Sequence, residues 1–160
     1  MTSNVERVWE IMDDIPICMV TTHAGGAMRS RPMHAVADSD AGCIYFLTDI
    51  HGAKDDEIAA APDVCLAFAD VDDNTYLSIT GRAEVVRDPA LTRDLWSAAA
   101  QAWWPDGPSD PAVRVLRVIP DKAEYWESHG NAVTVALKVA AARLSGDRPD
   151  LGRNEKVEMR

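Results

Sequence analysis

VCLAFADVDDNTYLSITGRAEVV, residues Val64 to Val86, holds two apolar runs joined by the acidic loop DVDDNT. In the second run Leu77, Ile79, Ala83 and Val85 alternate with Tyr76, Ser78, Thr80, Arg82 and Glu84. A period of two places the first set on one face of a strand and the second on the other, so this strand has one buried and one wet face. Half-exposed strands joined by short loops belong to antiparallel sheets, because a parallel pair needs a crossover of a dozen residues or more.

The same rhythm extends outward. CIYFLT, Cys43–Thr48, is apolar on both faces and predicts a well-buried strand. PICMVTT, Pro16–Thr22, predicts a short strand that ends at the Gly25-Gly26 turn, and MRSRPMHAVAD, Met28–Asp38, predicts the next. In that strand Arg29, Arg31 and Met33 share a face, and Pro32 demands an edge or a bulge because it lacks an N–H. AVRVLRVIPDKAEYW, Ala112–Trp126, predicts a strand pair or one bent strand.

Helices punctuate the pattern. Ser3 and Glu6 form a capping box ahead of an apolar stripe of Val5, Val8, Trp9 and Met12. AKDDEIAAA, from Ala53, is helical, as is Asp88–Trp104 with Asp88 as N-cap and Pro89 in the first turn. In the last helix Val133, Ala136, Leu137, Ala140, Ala141 and Leu144 share one face, and Gly146 stops it. About six strands in consecutive hairpins, with no βαβ rhythm and no repeat, predict an antiparallel α+β, mostly β chain in a closed or nearly closed barrel. One domain over residues 1–146 and a polar C-terminal tail over 147–160 complete the expected organisation.

Composition narrows the function. The 160 residues suffice for one domain with a proper core, and 47% hydrophobic residues suit a globular protein. A net charge of −10 argues against nucleic acid or an anionic membrane as partner. The first ten residues, MTSNVERVWE, carry no apolar core of a secretion signal, so the expected compartment is the cytoplasm. Cys18, Cys43 and Cys65 each sit in an apolar run and read as core residues, and the four histidines show no metal-ligand spacing.

The standard catalytic and nucleotide-binding motifs do not occur, which leaves the cations beside strands and helix starts. Arg29 and Arg31 stand together on one strand face, and Lys54 follows TDIHGA at a helix start, a combination suited to a phosphate. The plain alternative is a solvated lysine and two surface arginines on an edge strand. Trp103 and Trp104 are adjacent and cannot both face one core from a helix, so one of them meets a ligand or a partner chain, or packs at a dimer surface.

Taken in order, RSRPM, YFLTD…K…EI…APDVCLAFAD, NTYLSITGRAEVVRD, LW, WWPDGPSDP and VIPDKAEYWE resemble the general stress protein 26 group of the pyridoxamine 5′-phosphate oxidase-like family. The resemblance runs from about residue 5 to residue 130. It implies a six-stranded antiparallel split barrel that dimerises and binds FMN in clefts at the subunit boundary. Position by position it implies that Arg31, Pro32 and Met33 run along the flavin, with Arg31 on the phosphate. Leu47 and Thr48 would lie beside the ring and ribityl chain, and Lys54 on the phosphate. Tyr76, Trp103, Trp104 and Trp126 would lie near the ring.

Departures from the family pattern shape the expected activity. Gly52 and Ala53 replace a serine and an arginine that precede the lysine in the oxidases, so FMN is expected to bind reversibly. ESHGNAVTV replaces the substrate-gripping RLHDR segment, and Val36 replaces a substrate-phosphate lysine. An apolar group there leaves a dianionic substrate unpaired. The implied function is an FMN-dependent oxidoreductase, served by a reduced nicotinamide or similar donor, that does not oxidise vitamin B6. The alternatives are a non-enzymatic flavin-holding stress protein or redox sensor, or a relative on this barrel that binds F420 or haem, the haem drawing on His51 or His129.

Overall fold

The computed structural model describes residues 2–51, 54–128, 130 and 132–160. The chain begins with α1 (Asn4–Asp14), whose capping box is formed by the Ser3 side chain on the Glu6 N–H and the Glu6 side chain on the Ser3 N–H. The strands β1 (Ile17–Ala24) and β2 (Ala27–His34) follow, then β3 (Val36–Asp38) and β4 (Cys43–Asp49). The short α2 (Lys54–Ala60) leads to β5 (Asp63–Asp70) and β6 (Thr75–Val86). α3 (Pro89–Asp94) and α4 (Ala98–Trp103) precede the long β7 (Val113–Glu127), α5 (Ala132–Ser145) and β8 (Arg153–Glu158).

The strands pair in the order β2-β1-β5-β6-β7-β4-β3, and every pairing is antiparallel. β2 and β3, the two ends of that path, are separated only by Ala35, so one bent strand supplies both edges. His34 pairs with Ile17 of β1, while Val36 pairs with Tyr45 of β4. The Ala35 N–H donates to the Pro16 carbonyl at 2.7 Å. Curling the sheet until its edges meet in one strand gives a six-stranded barrel, split where β2 and β3 diverge. Pro32 lies in β2, which has β1 as its single strand partner among the described residues, as the missing N–H requires.

The core follows the alternation in the sequence. Leu77, Ile79 and Ala83 of β6 point inward with Val20, Leu66, Phe68, Phe46, Leu116 and Val118. Val8, Ile11 and Met12 of α1 close one end, each fully buried side chain contributing about 1.5–3 kcal/mol. Arg7 of α1 donates through Nε to Glu127 at 2.9 Å and ties the helix to the end of β7.

Two expectations are revised, and between them an alternative left open is decided. The Asp88–Trp104 segment is two helices, because Ser97 takes an extended conformation and caps α4 through the Ala100 N–H. Asp88 caps α3 as expected. The 112–126 segment is one bent strand: Thr80 pairs with Lys122 and Gly81 with Pro120, leaving Asp121 as a bulge. Pro120 falls where β7 exchanges β4 for β8 as its second neighbour, so the ladder is interrupted there in any case. The polar tail carries a strand, since β8 pairs with β7 from Lys122↔Glu158 to Glu127↔Arg153 and buries Val157. Its single apolar inward position lies below what a periodicity reading detects.

Deleting residues 147–160 should therefore lower the unfolding free energy by about 2 kcal/mol, chiefly through loss of the Val157 burial. A urea melt of the shortened chain with an unchanged midpoint would show that β8 contributes nothing. α5 presents Val133, Leu137 and Leu144 outward, the last 91% exposed. Among the described residues no helix is long and apolar enough to cross a membrane.

Candidate functional site at the split edge of the barrel

Arg29, Arg31 and Met33 pair with Thr22, Val20 and Cys18 of β1, whose side chains are buried. The arginines therefore lie on the inner face of β2, at the open edge of the barrel, where β2 meets β4. α2 packs against β1 at this edge and lowers one side chain, Glu57, between them. The Glu57 Oε2 accepts from Arg31 Nη2 at 3.2 Å and from Thr22 Oγ1 at 3.1 Å, and Oε1 accepts from Arg29 Nη1 at 3.2 Å.

The side chains of Glu57 and Arg31 are 10% and 18% exposed. Burial pushes the Glu57 carboxyl upward, but the hydrogen bonds from Arg31 and Thr22 and the charges of both arginines outweigh it, so it stays below the usual carboxylate range. Arg31 Nη1 is buried and has no hydrogen-bond partner among the described residues. A guanidinium N–H without an acceptor costs on the order of 1–3 kcal/mol, so this atom points to an anion.

β4 ends beside this cluster. Thr48 is buried on the inner face, and Leu47 is half-buried on the other, opposite Val115. Asp49 accepts from the Trp104 indole Nε1 at 3.2 Å and from the His51 N–H at 2.7 Å. Trp104 also packs on Trp96, with ring centroids 6.1 Å apart. Trp103 turns the other way and is 80% exposed, so the adjacent tryptophans do diverge. Met33 packs against the core, while Pro32 is exposed on the outer face opposite Met19. The side chain of Lys54, together with Gly52, Ala53 and His129, lies outside the described residues.

Tyr76 and Trp126 are cross-strand partners on the outer face of β6 and β7. Both are partly exposed, at 37% and 39%. In the ring of six strands β6 lies opposite the bent β2–β3 strand and β7 two strands from it through β4, and these rings point away from the face that carries Arg31. One chain thus brings Arg31, Met33, Thr48 and the start of α2 to one place and leaves Tyr76 and Trp126 at another. A row of three small side chains and one lysine crosses the same outer face in register, Thr21, Cys65, Thr80 and Lys122. These residues line a cavity of about 520 Å³.

Sequence reasoning missed Glu57, Thr22 and Asp49. Glu57 is one of three acids at the head of α2, and charge alone does not separate it from Asp55 and Asp56. The usable signal was Thr22, a polar residue at an inward position of β1 that has to find a partner.

An antiparallel barrel split along one bent strand, with an arginine pair clamped at the split, defines the protein as an α+β split-barrel protein. The chain belongs to the pyridoxamine 5′-phosphate oxidase-like family, whose model matches residues 3–150, and its likeness to the general stress protein 26 group holds. The structure of a Jannaschia sp. CCS1 protein designated general stress protein 26 superimposes with a TM-score of 0.78 at 26% identity, covering 99% of both chains. A general stress FMN/FAD binding protein of Xanthomonas citri superimposes with a TM-score of 0.70 at 26% identity, over 78% of this chain and 89% of that one. Protein bli-3 of Neurospora crassa is 29% identical over 139 residues, which are 80% of this chain and 66% of that protein, just under two thirds of its length.

Proposed function

We propose that the protein is a homodimeric FMN-binding oxidoreductase with its cofactor at the subunit boundary. The observation that carries this reading is the buried Arg31 Nη1, which has no acceptor among the described residues. A phosphate monoester fits it, because the guanidinium holds an oxyanion through directed N–H bonds. The Xanthomonas relative's designation as FMN/FAD binding supports a flavin as the group that bears the phosphate.

In this reading Arg31 and Lys54 hold the phosphate, and Thr48, Leu47, Pro32 and Met33 line the groove from the phosphate toward the ring. Tyr76, Trp103 and Trp126 of one subunit serve the groove of the other, which accounts for Tyr76 and Trp126 facing away from Arg31 within one chain. Trp104, tied to Asp49, steadies the end of β4. The flavin, when bound, supplies two-electron acceptance and release, and the chain orients it and limits water around it. Val36 on β3 provides no cation for a second phosphate, so vitamin B6 phosphates are not the substrate, and a reduced nicotinamide is the proposed donor.

The test begins with the cofactor of the purified protein, which should be yellow and release FMN identified by mass spectrometry. Anaerobic NADH or NADPH should then bleach the flavin. Failure with both donors would leave a flavin-holding protein rather than a nicotinamide-linked reductase. Light scattering should show a dimer, and full FMN affinity in a monomer would sink the shared cleft. A Lys54→Ala variant should bind FMN about tenfold more weakly, and unchanged binding would remove Lys54 from the phosphate site.

A further inference from the structure

We infer that Glu57 is a positioning residue for the phosphate end of this site, an inference that rests on the proposed flavin reading. Its carboxylate occupies Arg31 Nη2, is anchored by Thr22 Oγ1 from the barrel floor, and shares its other oxygen with Arg29. Held by the other two bonds, the carboxylate orients the guanidinium through Nη2 and leaves Nη1 as the buried nitrogen without a partner among the described residues. Glu57 also sets the charge. Ionised, it cancels one of the two arginines, so the cluster keeps one net positive charge for an anion such as a phosphate monoester.

Two physical effects of removing this carboxylate have opposite signs, and that makes the inference decidable. By Coulomb's law alone, deleting a negative charge beside an anion site tightens anion binding. Losing the acceptor that orients Arg31 weakens it, because a wandering guanidinium must be ordered again when the ligand arrives. We expect the second to win.

The readout is the ratio of FMN to riboflavin affinity, measured by flavin fluorescence quenching on the full-length protein. The two ligands differ only in the phosphate, so a merely structural disturbance lowers both affinities and leaves the ratio alone. Glu57→Gln should lower the ratio about tenfold, and Glu57→Asp should recover part of it. Should Glu57→Gln fail to fold, Thr22→Val leaves every charge in place and should lower the ratio about threefold. A ratio that is unchanged or higher in Glu57→Gln, or unchanged in Thr22→Val, overturns the inference. If Arg31→Ala still lowers the ratio in that case, the phosphate site stands and only the role of Glu57 falls. If the wild-type protein does not prefer FMN to riboflavin, the flavin-phosphate reading fails and Glu57's role goes with it.

Discussion

Replacing Arg31 by alanine is expected to weaken FMN binding about 100-fold, near 2–3 kcal/mol, while riboflavin affinity changes less than about threefold. The size follows from the environment of the side chain. Arg31 is largely buried between β2 and α2, and its Nη1 has no acceptor among the described residues. A charge-assisted hydrogen bond made in such a place is not diluted by competing water. The variant also strips Glu57 of one partner and leaves it with Arg29 and Thr22. Some loss of stability is therefore expected, and a thermal melt must accompany the titration. Equal losses for FMN and riboflavin would mean that the arginine supports the groove rather than the phosphate. No loss for either would remove Arg31 from the site.

A Gly81→Ala variant should lose about 3 kcal/mol of stability. In a protein of this size that corresponds to a fall in melting temperature of roughly 6–12 °C. The reason is space rather than backbone conformation. A Cβ at Gly81 would stand 2.4 Å from the Ile119 carbonyl oxygen and 3.0 Å from the Pro120 Cα. Both are backbone atoms of β7 and cannot rotate away. Gly81 faces the bulge at Asp121, where β7 turns from β4 toward β8, so relief would require the two longest strands to separate. Thermal unfolding followed by circular dichroism decides the matter, and a variant within about 0.5 kcal/mol of the parent would show that the bulge accommodates a methyl group.

Local signals in the sequence were reliable wherever the physics is local. The capping box at Ser3 and Glu6, the N-cap at Asp88 and the alternation from Tyr76 to Val85 all appear as expected, because each depends on residues within a few positions of one another. Pro32 announced an edge for the same reason. The break before Ala98 was hidden because Leu95 and the alanine-rich run after Ser97 favour helix, and only the three residues Leu95–Ser97, with the extended Ser97 capping α4, divide it. β8 was hidden because its six residues include five polar or charged side chains, and only pairing with β7 makes them a strand.

The candidate site divides along the same line. Arg31, Thr48 and the start of α2 were nominated from strand faces, a helix start and a family resemblance, and the fold brings them to one edge. Glu57 could not be chosen from among its acidic neighbours, because its importance lies in reaching Thr22, 35 residues away, across a helix-to-strand contact. Nor could the sequence separate Trp103 from Trp104, since which of two adjacent rings finds Trp96 and Asp49 depends on how α4 lies against the barrel.

By itself, then, the sequence determined the class of fold, its antiparallel strands, its main apolar faces and the arginine strand at its edge, because periodicity, caps and prolines act within one element. Only the tertiary structure decided that β2 and β3 close the barrel through Ala35, that Glu57 clamps the arginines, and that Tyr76 and Trp126 lie on the far face from Arg31. Those are relations between elements distant in the chain, fixed by which backbone groups must pair and which side chains must leave water together.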